Sequence, residues 1–259
     1  MKKEDTDALF VYGMHAVIEA VKRRPDAVRK LYVREDLMHN TQVISCYKHV
    51  PQLTTFVGNA VPRGVDRNAV HQGIIALIDV DILMIPFKEF RDTLTVNNDT
   101  ALVILGEVQD PHNVGAIIRS AAAFGASAIL VPEHRGCPIT GTVIKVSAGM
   151  AFTVPLVSVG NINNALRDLK DKGFWAYGLD GGGDTELTKE QFIKPSLFIV
   201  GNEATGMRLK THELCDTVLT IPMHARAESL NASVSAAVTL YAWSVQHPES
   251  LSKQTRGIT

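Results

Sequence analysis

Apolar and polar positions alternate over the first eighty residues as they do in a small α/β unit. Val17, Ile18 and Val21 recur at the spacing of one helix face, and β-rich runs of strand length follow. Turn residues separate these runs, so each run predicts an element of its own. The predicted elements are a helix over 13–24, a strand over 28–33, a helix over 41–49, a strand over 53–57 and an apolar strand within 73–80.

After a polar stretch, β-rich runs alternate with helical patterns up to the last part of the chain. Strands separated by helices favour a mostly parallel sheet with helices on both faces. We therefore predict an N-terminal α/β domain over 1–92, a linker over 93–100 and a C-terminal α/β domain over 101–259. The predicted strands are 101–106, 127–131, 153–157, 174–179, 197–200 and 217–221, and the predicted helices are 113–124, 140–147, 161–172, 209–214 and 232–243.

Composition adds the expectation of packed cores but gives no overall sign of a nucleic-acid binder. The chain has 259 residues, 46% of them hydrophobic, and a formal net charge of −1. Attraction to phosphate must therefore come from local patches. The best candidate patch is Lys22-Arg23-Arg24 with Arg29, Lys30 and Arg34, which fits either an RNA contact or a solvated helix end.

Cysteine usage and the N-terminal residues indicate the compartment. Cys46, Cys137 and Cys215 are far apart and form no Cys-x-x-Cys pair, so neither a disulfide framework nor a zinc site is expected. No histidine pair has the spacing of metal ligands. Five of the first seven residues are charged and no run reaches membrane-spanning length, so we expect a cytoplasmic chain without metal or membrane.

Three polar segments follow predicted strands and carry the candidate chemistry. The first, 106–125, contains Asp110-Pro111-His112-Asn113 and, six positions after the asparagine, Arg119. The second, 201–207, contains Glu203 between two glycines, and the third, 221–231, ends in Ser229-Leu230-Asn231 before an apolar helix. Ligands bind beyond the carboxyl ends of parallel strands, which is where all three segments lie.

These segments, in this order, resemble the three motifs of the SpoU/TrmH family of RNA 2′-O-ribose methyltransferases. Tyr12-Gly13-Met14-His15 and His71-Gln72-Gly73 are similar to the ends of that family's small RNA-binding domain. The likeness is strongest with the subgroup that methylates a guanosine in 23S ribosomal RNA. It implies S-adenosylmethionine as methyl donor, ribosomal RNA as partner, a homodimer with its interface beside the cofactor site, and a trefoil knot in the C-terminal domain. Unknotted chains are otherwise the rule.

The resemblance also implies roles for five polar residues, each of which has a simpler structural interpretation. The resemblance implies that Arg119 is either a base or a clamp on the RNA phosphate. Because arginine stays protonated, we favour the clamp over the base. The structural alternative for Arg119 is a surface ion pair. Asn113 positions substrate or caps its helix. Glu203 orients Arg119 or the ribose hydroxyl, or is an exposed loop acid. Ser229 and Asn231 orient the target hydroxyl or cap the following helix.

For the cofactor, matching to the family places Gly201, Ile221 and Leu230 around S-adenosylmethionine, with Leu179 as a weaker addition. Composition alone would assign Ile221 and Leu230 to the core. The chain departs from the family pattern at three positions, where alanine stands for glycine or valine; an alanine at positive φ would cost stability or cofactor affinity. The three positions are Ala204, Ala225 and Ala232.

Three other functions compete with the favoured one. In the first, the enzyme methylates transfer RNA instead of ribosomal RNA. An RNA-binding assembly factor with vestigial methyl transfer is a second possibility, which the alanine substitutions motivate. A nucleotide-dependent oxidoreductase ranks low, because Gly181-Gly182-Gly183 lacks the spacing of a dinucleotide fingerprint and no helix follows at once.

Overall fold

The structure is a computed structural model that describes residues 8–47, 49–50, 52–58, 60–65, 70–202 and 204–252. It contains a four-stranded sheet near the N-terminus and an eight-stranded sheet beyond it. Glu203, one of the predicted site residues, lies outside the described residues. No helix in these described ranges is long and apolar enough to cross a membrane.

The N-terminal sheet has the strand order β1-β4-β2-β3. Strand β4 pairs antiparallel with both β1 and β2, and β2 pairs parallel with β3. Helix α1 buries Val17, Ile18 and Val21, as their spacing predicts. The elements are β1 (Ala8–Tyr12), α1 (Met14–Arg23), β2 (Val28–Arg34), α2 (Thr41–Tyr47), β3 (Leu53–Phe56) and β4 (Ile74–Asp79).

The second sheet has the order β10-β12-β9-β11-β6-β7-β8-β5, and all its neighbouring strands are parallel. This confirms the predicted fold class. Its strands are β5 (Met84–Pro86), β6 (Ala101–Leu105), β7 (Ala128–Pro132), β8 (Leu156–Val159), β9 (Trp175–Leu179), β10 (Thr185–Glu186), β11 (Ser196–Val200) and β12 (Thr217–Thr220). The helices around it are α3 (Phe87–Thr93), α4 (Pro111–Ala123), α5 (Gly141–Val146), α6 (Ile162–Asp171), α7 (Leu209–His212), α8 (Ala232–Gln246) and α9 (Pro248–Ser252).

The central strand β6 shows why its sequence is apolar without interruption. All five of its residues are buried. Val103 and Leu105 pack into the core on one face of the sheet, and Leu102 and Ile104 pack into the core on the other. Both faces are covered, so the strand has no polar side.

Several elements differ from the sequence prediction. The strand expected over 153–157 is Leu156–Val159, because a short 3₁₀ turn occupies Met150–Phe152. Strands β1, β5 and β10 and helix α3 were not expected. Met84–Pro86 pairs with β8 and Phe90 of α3 is buried, so part of the segment before residue 92 belongs to the large sheet.

The two sheets share a core through helix α5. A Cβ at Gly141, the first residue of α5, would lie 2.7 Å from the carbonyl oxygen of Phe10 in β1. Glycine therefore lets the helix approach the strand closely. Gly173 follows α6 with φ +95°, in the left-handed conformation that ends many helices.

Candidate functional site

A cavity of about 350 Å³ opens at the carboxyl edge of the large sheet. All four residues predicted to surround the cofactor line it, namely Leu179, Gly201, Ile221 and Leu230, and so does Ser229. Parallel pairing explains the convergence, because it places the ends of neighbouring strands at one edge of the sheet. The register aligns Leu179, at the end of β9, with Val200 of β11 and Leu219 of β12.

The loop after β11 folds back on itself beside the cavity. The backbone of Asn202 exchanges two hydrogen bonds with Gly206, at 3.0 and 2.9 Å. A Cβ at Gly201 would lie 2.7 Å from the carbonyl carbon of Gly206 and 2.8 Å from the nitrogen of Met207. Only glycine fits at position 201 while the loop keeps this shape.

The side chain of Asn202 organises this loop, and the sequence prediction missed it. Its Oδ1 accepts hydrogen bonds from the backbone N–H groups of Ala204 and Thr205, at 3.0 and 3.1 Å, and from the Thr205 hydroxyl at 3.2 Å. Its Nδ2 donates to the carbonyl of Glu107 at 3.0 Å. Asparagine often bonds backbone two residues ahead in turns, which is the signal that its position offered.

Glu107, in the segment after β6, accepts this hydrogen bond from Asn202 and makes a second contact with the chain beyond the loop. It has φ +66°, in the left-handed region, and its Oε1 lies 2.7 Å from Nε of Arg208. The preceding N–H, of Gly106, donates to the carbonyl of Val200 at 2.6 Å. Two hydrogen bonds and one ion pair therefore join the segment after β6 to the end of β11 and the segment that follows it.

Asn113 is not the N-cap of its helix, so that interpretation was wrong. Asp110 caps α4, its carboxylate accepting from the N–H of His112 at 2.9 Å, and Pro111 is the first helical residue. Proline is favoured there because its missing N–H has no helical partner. Asn113 lies within the first turn and is buried, with 6% of its surface exposed.

Arg119 lies in α4 two turns from the helix start and is exposed. It does not line the cavity, and it has no ion pair or hydrogen bond with any residue that the structure describes. The surface ion pair considered for it is therefore not seen within the described ranges. Helix α4 packs along α8, with the rings of Phe124 and Tyr241 5.8 Å apart. Within one chain, Arg119 and the cavity are not brought together.

Asn231 caps α8, which confirms that interpretation of the residue. Its Oδ1 accepts from the N–H of Ser233 at 2.8 Å and from its hydroxyl at 2.6 Å. The neighbours of Asn231 on both sides, Leu230 and Ala232, line the cavity, although Asn231 itself does not. The cap thus positions the amide group of Asn231 at the rim of the cavity.

Comparison with known proteins identifies the family. The model of the SpoU rRNA methylase family matches residues 100–241, and a model for RNA 2′-O-ribose methyltransferase substrate binding matches residues 10–80. The chain belongs to the SpoU rRNA methylase family. It is an S-adenosylmethionine-dependent RNA 2′-O-ribose methyltransferase, as the resemblance implied.

Curated relatives match most of this SpoU chain. The 23S rRNA (guanosine-2′-O-)-methyltransferase RlmB of Vibrio parahaemolyticus is 34% identical over 240 residues, covering 90% of the chain and 94% of the relative. RlmB of Neisseria meningitidis is 32% identical over 232 residues, with 89% and 92% covered. An uncharacterized tRNA/rRNA methyltransferase of Synechocystis is 36% identical over 243 residues, and the chain spans 61% of its length.

Solved structures show the same fold. The SpoU methyltransferase AviRb from Streptomyces viridochromogenes, in complex with AdoMet, aligns with a TM-score of 0.78 at 23% identity, covering 93% of this chain and 91% of AviRb. A structure described as an RNA 2′-O ribose methyltransferase aligns with a TM-score of 0.74 at 25% identity, covering 95% and 91%. The eight-stranded sheet and the N-terminal unit therefore have the arrangement of SpoU enzymes.

The charges of this SpoU cavity are negative. Asp180 and Glu228 line it, and no described lining residue is lysine, arginine or histidine. Cys215 does not line the cavity. Its Sγ lies against β9, 3.0 Å from the position that a Cβ on Gly178 would occupy. Burial raises the pKa of Cys215 to about 12, so its thiol stays protonated and is no nucleophile at neutral pH.

Two of the three alanines that depart from the family pattern, Ala225 and Ala232, have little structural cost. Ala225 does not have the positive φ that would require glycine. Ala232 is the first residue of α8 and lines the cavity. Among the described ranges, no cluster of histidine, cysteine or acidic residues has the arrangement of a metal site.

The candidate basic patch of the N-terminal unit is partly neutralised. Arg24 pairs with Asp26 at 3.0 Å and Arg34 pairs with Asp36 at 2.6 Å. Arg29 pairs with Asp79. The side-chain bond with Arg24 lowers the pKa of Asp26, so this carboxylate stays charged beside its partner. Lys22 and Arg23 keep exposed positions on α1, where Arg23 pairs with Glu19 at 3.5 Å.

Proposed function

We propose that this enzyme methylates the ribose 2′-hydroxyl of a guanosine in 23S ribosomal RNA. The observation that carries the proposal is the match to RlmB relatives over 92% and 94% of their lengths, with both the substrate-binding and the methylase models represented. In this proposal the N-terminal four-stranded unit recognises folded RNA, and the C-terminal unit, whose sheet includes Met84–Pro86 as β5, carries out the transfer. The Synechocystis name keeps transfer RNA as the alternative substrate.

We infer that S-adenosylmethionine occupies the cavity at the carboxyl edge. The cavity is within the size range of small-molecule sites, roughly 300–1,000 Å³. Leu179, Ile221 and Leu230 supply apolar surface for the adenine, and Gly201 lets backbone approach closely. The carboxylates of Asp180 and Glu228 suit a positively charged ligand. When bound, the cofactor supplies an electrophilic methyl carbon.

Around that methyl group, the polar residues align the nucleophile. Ser229 lies at the cavity wall, and its hydroxyl hydrogen-bonds to the target hydroxyl, either as donor or as acceptor. Asn231 uses Oδ1 for the helix cap, so its Nδ2 is the group that donates to RNA. Asn113 positions the substrate-binding segment from within the first turn of α4. With the cofactor bound, Ser229 and Asn231 would hold the ribose oxygen in line with the methyl carbon that the cofactor would supply.

Arg119 has the role of a phosphate clamp in this mechanism. A guanidinium stays protonated at neutral pH and offers a planar fork of donors that fits phosphate. Its exposed position, without a described partner, leaves those donors available to RNA. Glu203 is proposed to orient Arg119 or the ribose hydroxyl.

A homodimer accounts for the distance between Arg119 and the cavity of its own chain. Helix α8 exposes an apolar stripe at spacings of four, three and four residues, which lies on one helix face. Its members are Val234, Val238, Tyr241 and Val245, with 44, 38, 58 and 62% of their surfaces exposed. A second copy on this stripe would cover the stripe and bring the Arg119 of one protomer toward the cavity of the other.

The family and the substrate support two further parts of the proposal. A ribosomal RNA substrate supports a cytoplasmic location for the enzyme. Membership of the SpoU family supports the trefoil knot in the C-terminal domain.

Methyl transfer with defined RNA separates the proposed substrates. Purified enzyme and S-[methyl-³H]adenosylmethionine are incubated with 23S ribosomal RNA or with total transfer RNA, and the labelled nucleotide is mapped. We expect label at one guanosine of 23S RNA and none in transfer RNA. Label in transfer RNA alone would establish the alternative, and failure to bind the cofactor in calorimetry would indicate the assembly factor.

A further inference from the structure

The cavity has a charge pattern that the methyl-transfer reaction itself changes. Asp180 and Glu228 contribute two negative charges to its wall, and neither forms an ion pair with a described residue. Arg226 is in the same loop as Glu228 but does not line the cavity. Before transfer the cofactor carries a sulfonium cation, and afterwards its sulfur is a neutral thioether.

Asp180 is held in place toward this cavity. Its Oδ1 accepts from the N–H of Gly182 at 2.9 Å. Its Oδ2 lies 3.4 Å from where a Cβ on Gly206 would stand, so this oxygen faces the folded-back loop across the site. No described group donates a hydrogen bond to Oδ2. The segment around it is also fixed, since the Thr220 hydroxyl donates to the carbonyl of Gly181 at 3.2 Å.

We propose that Asp180, assisted by Glu228, makes this cavity select the cationic methyl donor over the neutral product, S-adenosylhomocysteine. The inference rests on the proposed location of the cofactor. Asp180 is half-buried, so its carboxylate attracts a cation more strongly than one in open water, because less solvent screens the pair. Glu228 is exposed, so its contribution is the smaller of the two. Loss of the positive charge on transfer removes this attraction while the shape of the ligand barely changes. The pocket thereby favours product release after each turnover.

Calorimetry of ligand binding to the full chain tests the proposal without requiring activity. Dissociation constants are measured for S-adenosylmethionine, S-adenosylhomocysteine and sinefungin, which carries an ammonium near the position of the sulfonium. In the unmodified chain both cationic ligands should bind more tightly than the neutral product. Asp180→Asn should reduce that preference by about threefold to tenfold, and adding Glu228→Gln should reduce it further. Glu35→Gln, an exposed acid in the N-terminal unit, is the matched control and should leave the preference unchanged.

A second ligand separates charge selection from ordinary hydrogen bonding. 5′-Methylthioadenosine keeps the adenine, ribose and neutral sulfur but lacks the amino-acid end, so its affinity should not change in Asp180→Asn. An equal loss for this ligand and for S-adenosylmethionine would make Asp180 a ribose ligand and overturn the proposal. The proposal is also overturned if the double variant keeps the preference for S-adenosylmethionine over S-adenosylhomocysteine. If the Asp180 variants fail to fold, an unchanged preference in Glu228→Gln would overturn it. Failure of the unmodified chain to bind any of the ligands would instead remove the proposed cofactor site.

Discussion

The Nδ2 of Asn202 donates a hydrogen bond to the carbonyl oxygen of Glu107 at a distance of 3.0 Å. This bond joins the segment that leads into Asn113 and Arg119 to the loop that includes Glu203. Because the same asparagine holds its own loop through Oδ1, one side chain sets the relative position of two of the three family motifs. Geometry of this kind governs alignment, on which transfer to an alcohol depends.

Replacing Asn202 should therefore affect cofactor binding and stability together. Asn202→Ala removes four side-chain hydrogen bonds, so we expect a loss of about 1–3 kcal/mol in the free energy of unfolding and weaker binding of S-adenosylmethionine. Urea unfolding and calorimetry measure the two effects. Asn164→Ala, on the exposed face of α6, is a suitable control. Unaltered cofactor affinity in Asn202→Ala would show that the loop keeps its shape without this side chain.

Arg119→Ala should separate chemistry from folding. The side chain is exposed and has no described partner, so we expect the melting temperature to stay within about 1–2 °C. Methyl transfer to RNA should fall at least about a hundredfold, since the phosphate loses its clamp. Arg167→Ala on α6 is the matched exposed control. Full activity of Arg119→Ala would refute the role given to this residue.

Asn231 permits a test that distinguishes its two functions. Asn231→Ala loses the helix cap and should cost about 1 kcal/mol of stability along with activity. Asn231→Asp keeps an oxygen for the cap but loses the amide donor. We expect this variant to unfold like the unmodified chain while methyl transfer falls at least about tenfold. Equal activity of Asn231→Asp and the unmodified chain would reduce Asn231 to a cap.

His71 should make stability depend on pH. Its ring is buried, and its Nδ1 accepts from the N–H of Gly73 at 3.0 Å. Burial, aided by the positive charge of Arg34, lowers the pKa of His71 below its ordinary value of 6.5. The unfolded chain therefore takes up a proton more readily. The contribution of neutral His71 to the free energy of unfolding is complete above about pH 6.5 and is lost as the pH falls through the lowered pKa.

Urea unfolding between pH 7.5 and 5 measures this contribution. We expect the unmodified chain to lose stability on acidification by more than His71→Asn does, because asparagine can still accept the bond from Gly73 but has no proton to gain. His39→Asn, an exposed histidine, should keep the pH dependence of the unmodified chain. Parallel curves for the unmodified chain and His71→Asn would contradict the assignment.

The sequence predicted elements well where burial on both sides requires an uninterrupted apolar run, as in β6 and β11. It failed for Met84–Pro86, which is too short to stand out and becomes a strand only by pairing with β8. It also considered Asn113 as a cap and did not consider Asp110, although proline at the next position after the aspartate marks the helix start.

The residues that line the cavity were more predictable from the sequence than the contacts of the segment that leads into Arg119. Gly201 and Ile221 directly follow β11 and β12, whose parallel pairing with β9 brings the ends of these strands to one edge of the sheet. Leu230 reaches the same cavity from the segment before α8. The contact between Asn202 and Glu107 joins residues 95 positions apart, which no local pattern reveals. The direction of Arg119 depends on how its helix packs and, in our proposal, on a second copy of the chain.

Mapping ribose methylation in 23S ribosomal RNA tests the central claim most directly. The RNA is taken from cells with the chain, from cells lacking it, and from deleted cells that express either the unmodified chain or Arg119→Ala. The proposal predicts that one guanosine loses its 2′-O-methyl group on deletion, regains it with the unmodified chain and stays unmethylated with Arg119→Ala. An identical methylation map in all four samples would contradict it.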